Sequence, residues 1–151
     1  MKHRAAIEDG VSVFARVAIG TAFLSAVADR FGWWGPPGAR HVAWGDFSHF
    51  LAYADTITPF VPIGLVPAAG SLATILELIL GVALIVGVAI RPAAVLSGVL
   101  LASFALGMTF GTGIKTAFDA SVFSASAAAF LLACASRYPL ALETIWRGRS
   151  S

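Results

Sequence analysis

The chain has 151 residues, 58% of them hydrophobic and 12% charged, with a mean hydropathy of +0.86. A soluble domain is about 45–50% apolar and about 25% charged, so the balance points to lipid as the solvent and argues against an ordinary water-soluble enzyme. The net charge of +2 comes from basic residues scattered at segment ends, without a basic stripe or motif, which argues against a nucleic-acid partner; the one cysteine, Cys134, excludes an internal disulfide and any CxxC pair.

A bilayer span needs about 20 mostly apolar residues. Four segments meet that length, at about 11–32, 66–90, 92–113 and 118–138. Their alanine and leucine content favours helices, so the expected fold is all-α: one domain over residues 1–151, an integral membrane four-helix bundle. The first segment carries a basic start and the small-x-small pattern Ala26-Val27-Ala28 of a signal peptide. Glu8, Asp9 and Arg16 break that pattern, and the segment reads as a retained span.

The connection at about 33–65 follows, beginning with "GWWGPPGARHVAWGDF" (residues 32–47), rich in tryptophan and turn formers. This suits an interfacial aromatic belt. Asp46 is a candidate N-cap for a short helix ending before Pro59. Phe47, Phe50, Leu51 and Ala54 would share one face, with Ser48, His49 and Asp55 pointing away. The expected element is an interfacial amphipathic helix in the long outer loop.

The second span contains "TILELILGVAL" (residues 74–84), in which Glu77 is the sole ionisable side chain between Pro67 and Ile90. Gly70, Ala73, Glu77, Gly81 and Leu84 follow three- and four-residue spacing, so Glu77 should face protein. Arg91-Pro92 is expected to separate the second and third spans. In the third, Ser103, Gly107 and Gly111 lie four residues apart and include the GxxxG match "GMTFG". Gly70, Ala73, Gly81, Ser103, Gly107 and Gly111 are therefore the expected helix-packing positions, since small residues permit close approach in lipid. Ser121, Ala125, Ala128 and Ala129 form a small face on the fourth span, and Cys134 reads as packing there.

Lysine and arginine placement sets the orientation. Lys2, Arg4, Arg16, Arg91, Arg137, Arg147 and Arg149 fall on one side, and Arg30, Arg40 and Lys115 on the other. Both termini are expected in the cytoplasm. Arg16 lies on one stripe of the first span with Gly20, Phe23, Val27 and Arg30, and Arg16 with Glu77 is a candidate ion pair. Intramembrane ionisable residues are functional candidates, although Glu77 also fits a purely structural use.

Catalytic and metal motifs are not evident. The three histidines, His3, His41 and His49, fall outside the spans, and no P-loop, GxGxxG or nucleophile elbow appears. Neither a catalytic residue nor a metal ligand is assigned.

"ELILGVALIVGVAIRPAA" (residues 77–94) has the E-x3-G-x2-L-x2-G-x3-R-x-A pattern of DoxX-like membrane proteins, and "RVAIGTAFLSAVADR" (residues 16–30) resembles their first span. The likeness covers most of residues 12–138. The Gly-Pro-Gly and Ser-x-Asp frequent after the fourth span of that family are absent, and "LETIWRGRSS" stands in their place. The resemblance implies a four-helix protein of a bacterial-type inner membrane, associated with quinone-linked redox complexes as a small accessory subunit. The expected partners are a larger redox or electron-transfer complex and the lipid bilayer. Quinone is the candidate ligand, with no covalently bound cofactor. Its stacking and proton-transfer groups would be Trp44, Phe47, His49 and Glu77, with Trp33, Trp34 and Asp46 nearby on the outer side. Two alternatives stand beside this reading: a free-standing quinone-linked oxidoreductase, and a scaffold or receptor without chemistry.

Overall fold

The computed structural model describes residues 2–142. Arg147 and Arg149 of the basic-residue count, with most of the C-terminal "LETIWRGRSS", lie outside the described residues. The architecture is all-helical: α1 (Lys2–Arg30), α2 (Phe47–Ile57), a single 3-10 turn (Ile63–Leu65), α3 (Val66–Val86), α4 (Ile90–Gly111), α5 (Ile114–Asp119) and α6 (Val122–Ala133). Three of these are long and apolar enough to cross a membrane: α1 from Ala5, α3 with its preceding turn, and α4. Their composition marks the chain as a membrane protein.

The fourth expected span, 118–138, is instead divided. Ser121 takes a left-handed backbone at φ 54°, which ends α5 and starts α6. The 12 residues of α6 rise about 18 Å, well short of a hydrocarbon core of about 30 Å. Cys134, at the end of α6, is exposed rather than packed.

The break between α3 and α4 also differs from expectation. It falls at Gly87 through Ala89, and Arg91-Pro92 lies inside the first turn of α4, where a proline costs no intrahelical hydrogen bond. Gly87 has φ 80°, and its N–H donates to Ala83 O at 2.9 Å while Val88 N–H reaches the same oxygen at 3.0 Å. This left-handed cap stops α3. Arg16 completes the stop: its Nε donates to Leu84 O at 3.0 Å and its Nη1 to Pro139 O at 2.8 Å. A guanidinium over the last carbonyls of α3 also complements the negative end of that helix.

α1 packs on α3 where two glycines meet. A Cβ on Gly20 would sit 2.9 Å from Gly81 O, and one on Gly81 would sit 3.0 Å from Gly20 O. α4 packs on α6 through Gly98, whose carbonyl accepts from Ser126 Oγ at 2.8 Å and where a Cβ would come within 2.7 Å of the Phe130 ring. Around these crossings lies the main core, with Ile19, Phe23, Leu80, Leu84, Ile90, Ala94, Ala129 and Leu132.

The ends of the molecule are distinct. The first half of α1 is tied to the segment after α6 by the Asp9–Arg137 ion pair (3.1 Å) and by Ser12 Oγ donating to Arg137 O at 3.4 Å. α2 lies at the opposite end, over the end of α1 and against α3 and α4. Asp46 caps it, accepting from His49 N–H at 2.8 Å, and Thr58 ends it before Pro59. Phe50, Ala54 and Ile57 are its buried residues, and Trp44, Phe47 and Leu51 pack around Phe50 and Ala54.

The expected packing positions divide. Gly81 meets α1. Gly70 faces α2, where a Cβ would come within 2.7 Å of Leu51. Gly107 and Gly111 also receive the end of α2 rather than another long helix, since a Cβ on either would lie 3.0 Å from the Ile57 carbonyl group. Ala73 is half-buried, while Ser103 is exposed and donates to Leu100 O of its own helix.

Candidate functional site

Apart from Arg16, which is buried at the other end of α3, the buried charges among the described residues gather where α1 ends beneath α2. Asp29 and Arg30 come from the last turn of α1, and Thr74 and Glu77, three residues apart on α3, share the face turned toward them. All four are buried, at 5%, 3%, 6% and 3% exposure in that order. Arg30 Nη1 is ion-paired to Glu77 Oε2 and donates to Thr74 Oγ1 at 2.8 Å. Thr74 in turn donates to Gly70 O at 2.8 Å. Glu77 thus meets Arg30, and not Arg16, whose guanidinium is among the carbonyls at the other end of α3.

Aromatic rings cover the guanidinium. Arg30 Cζ lies 3.8 Å from the centre of the Phe50 ring and 5.2 Å from that of Trp44, both within cation–π range. Trp44 is fixed twice over, by an edge contact to Phe50 at 5.3 Å and by its backbone N–H, which donates to Asp29 Oδ2 at 2.8 Å. The loop before α2 is therefore latched to the end of α1 by Asp29. One cation and two carboxylates, shielded from water, join α1, α3 and the loop leading into α2.

Energetics decide what such a cluster does for the fold. A buried pair gives little net stability over an apolar pair of the same shape, yet removing one partner costs roughly 3–5 kcal/mol. The arrangement specifies which helices meet and at what height. Arg30 ends α1 yet reaches the middle of α3, so α3 continues past α1 and α2 fills the step above it.

The proposed ligand residues separate in space. Trp44 belongs to the Glu77 cluster through Arg30. Phe47 lies at its edge, stacked on Phe31 at 6.3 Å and tilted against Phe50 at 5.6 Å. His49 is turned away, with 60% of its side chain exposed, and its Nδ1 lies 2.9 Å from the Asp46 carboxylate. Three hydrogen bonds, from His49 N–H, the Ser48 hydroxyl and the His49 ring in falling order, hold the Asp46 carboxyl well below the usual carboxylate range. Trp33 and Trp34 are exposed, Trp34 donating its indole N–H to Ser25 O at 3.1 Å.

From the sequence alone Asp29 and Thr74 have no assigned role, Phe50 has only a place on the apolar face of α2, and Arg30 only one on the Arg16 stripe near a span end. The available signal was an Asp-Arg pair closing an apolar helix, together with a threonine one turn before Glu77. Among the described residues, no three of His, Cys, Asp and Glu gather as metal ligands. A shallow apolar groove of about 520 Å³ lies at the other end of the molecule, between Val13, Phe14 and Val17 of α1 and Pro139 and Leu140.

Comparison with known proteins assigns no family: no family model matches the chain, and neither a curated protein nor a solved structure matches it.

Proposed function

We propose that the chain is a small accessory subunit of a quinone-linked membrane redox or electron-transfer complex, contributing helix packing and a lipid or quinone environment rather than a catalytic centre. The observation that carries this reading is the engagement of Glu77. Its carboxylate is paired with Arg30, Arg30 also binds Thr74, and Trp44 and Phe50 cover the pair. A carboxylate serving as proton acceptor for a ligand needs access to that ligand, whereas this one is spent on joining α1 to α3. The hard redox chemistry then belongs to a cofactor of the larger partner.

In this reading α6 completes a four-helix bundle with α1, α3 and α4. α2 lies in the outer interface, with Ser48, His49 and Asp55 toward water. The membrane is a bacterial-type inner membrane with both termini cytoplasmic, which the grouping of Arg16, Arg91 and Arg137 near one end of the helices supports. The quinone-linked class of partner rests on the resemblance of residues 77–94 and 16–30 to DoxX-like proteins. Ligand contact belongs to the outer aromatic surface, where Trp33 and Trp34 are exposed.

The test is to tag the chain, extract it in mild detergent, and identify stoichiometric partners by mass alongside an absorption spectrum. A redox protein recovered at fixed stoichiometry is the expected result. Recovery of a lone protein with its own quinone turnover would reject the accessory role.

A further inference from the structure

The chain after α6 turns back along α1. Arg137 O accepts from Ser12 Oγ at 3.4 Å. One helical turn further along α1, Pro139 O and Leu140 O accept from Arg16 Nη1 and Nη2 at 2.8 and 3.5 Å. Arg16 is buried and lies in the part of α1 long and apolar enough to cross a membrane. Irregular backbone at membrane depth needs protein partners, because no water serves it there. The Arg16 guanidinium supplies the donors, which lets this short strap lie at bilayer depth beside α1.

Leu140 is the odd residue of the strap. Its φ of 53° is left-handed, a conformation that bulky residues rarely adopt, and its side chain is 81% exposed. A strained backbone thus holds an apolar side chain away from the core. With Pro139 it makes one wall of the groove whose other wall is Val13, Phe14 and Val17. Asp9 is the polar end of that groove, about 12 Å along α1 from Val17. It is half-buried and ion-paired at 3.1 Å to Arg137, which is exposed.

We propose that the groove binds a phospholipid of the phosphoethanolamine class, with one acyl chain between α1 and Leu140 and the head group on the Asp9–Arg137 pair. Apolar walls at bilayer depth suit a hydrocarbon chain rather than a water-soluble ligand. The head follows from charge. An ion pair partly exposed on both members presents an anion and a cation side by side. A zwitterion answers both, its phosphate on the guanidinium and its primary ammonium on the carboxylate. A phosphoglycerol head has no cation for Asp9, and a quaternary ammonium has no N–H to donate to it. The site lies at the opposite end of the molecule from α2 and needs no partner protein.

The test is native mass spectrometry of the delipidated full chain in mild detergent. Phosphatidylethanolamine, phosphatidylcholine and phosphatidylglycerol of identical acyl chains are added back in turn. Phosphatidylethanolamine should bind about tenfold more tightly than either, as expected of one charge-assisted hydrogen bond. Asp9→Asn should abolish that preference. Leu140→Asn, with a residue that tolerates the left-handed backbone, should weaken all three lipids alike. Equal binding of the three, preference for another head group, or no binding would overturn the proposal. So would a preference that survives Asp9→Asn, or parental binding by Leu140→Asn. Phe14→p-benzoylphenylalanine, irradiated in native membranes, should crosslink to lipid; a protein adduct instead would give the groove to a partner chain and reject the lipid. Where a variant does not fold, the three-lipid comparison on the parent decides alone.

Discussion

Glu77, near the middle of α3, is ion-paired to Arg30, the last residue of α1, and the rings of Trp44 and Phe50 lie over that guanidinium. Arg30 reaches that depth with its side chain: Gly20 of α1 meets Gly81 of α3, so the end of α1 lies closer to the start of α3 than Glu77 does. Arg16, on the same stripe of α1 almost four turns earlier, lies over the last carbonyls of α3 instead.

Glu77→Leu leaves Arg30 buried without its counter-charge, a change expected to cost roughly 3–5 kcal/mol. Glu77→Gln keeps an acceptor oxygen for Arg30 but removes the charge, so its loss should be smaller. Thermal unfolding in detergent should rank parent above Gln and Gln above Leu. A leucine variant as stable as the parent would contradict the lock.

Gly81 and Ser103 read alike in the sequence as small residues on helix-packing faces. They separate in the structure, because Gly81 touches the backbone of Gly20 and Ser103 is exposed. Gly81→Leu should lose about 1–3 kcal/mol through overpacking, whereas Ser103→Leu should stay within about 0.5 kcal/mol. Equal losses at the two sites in the same unfolding assay would contradict the Gly20–Gly81 contact.

That contrast marks how far the sequence was readable. Length and apolar content located α1, α3 and α4, and Asp46 before an aromatic run located the start of α2. The division at Ser121 was hidden, because the Ser/Ala-rich run contains neither glycine nor proline to announce it. Gly107 and Gly111 announced close packing but not the partner, and that partner proved to be the end of α2. The site was half readable: Glu77 is marked by its isolation in an apolar run, but its partner depends on the height at which α1 stops. No periodicity encodes that height, since it is set by α2 filling the step above Arg30.

The Asp46 cap carries a pH prediction. Its folded pKa is depressed by hydrogen bonds to the ionised form, so the stability it contributes is present above the unfolded value, about 3.9, and is lost as pH falls through the folded value. The His49 amide shift, followed by NMR in a membrane mimetic, should therefore titrate well below the ordinary carboxylate range. A midpoint near 4 would mean that the cap does not form.

The orientation of the bundle can be read with cysteine labelling. Asp55 is exposed on α2 and Cys134 is exposed at the end of α6, at opposite ends of the molecule. In sealed cells an impermeant thiol reagent should label Asp55→Cys in a Cys134→Ser background and should leave the native Cys134 unlabelled. The reverse pattern would invert the proposed topology.

The most direct measurement is a double-mutant cycle on the two residues at the centre of the account. Arg30→Met and Glu77→Leu each strand a buried charge, while the double variant replaces the pair with apolar side chains of similar reach. The double variant should recover most of what the single variants lose, with a coupling on the order of 2–3 kcal/mol in thermal unfolding. Losses that simply add, with no coupling, would mean that Glu77 does not serve Arg30, and would return that carboxylate to the list of groups free for chemistry.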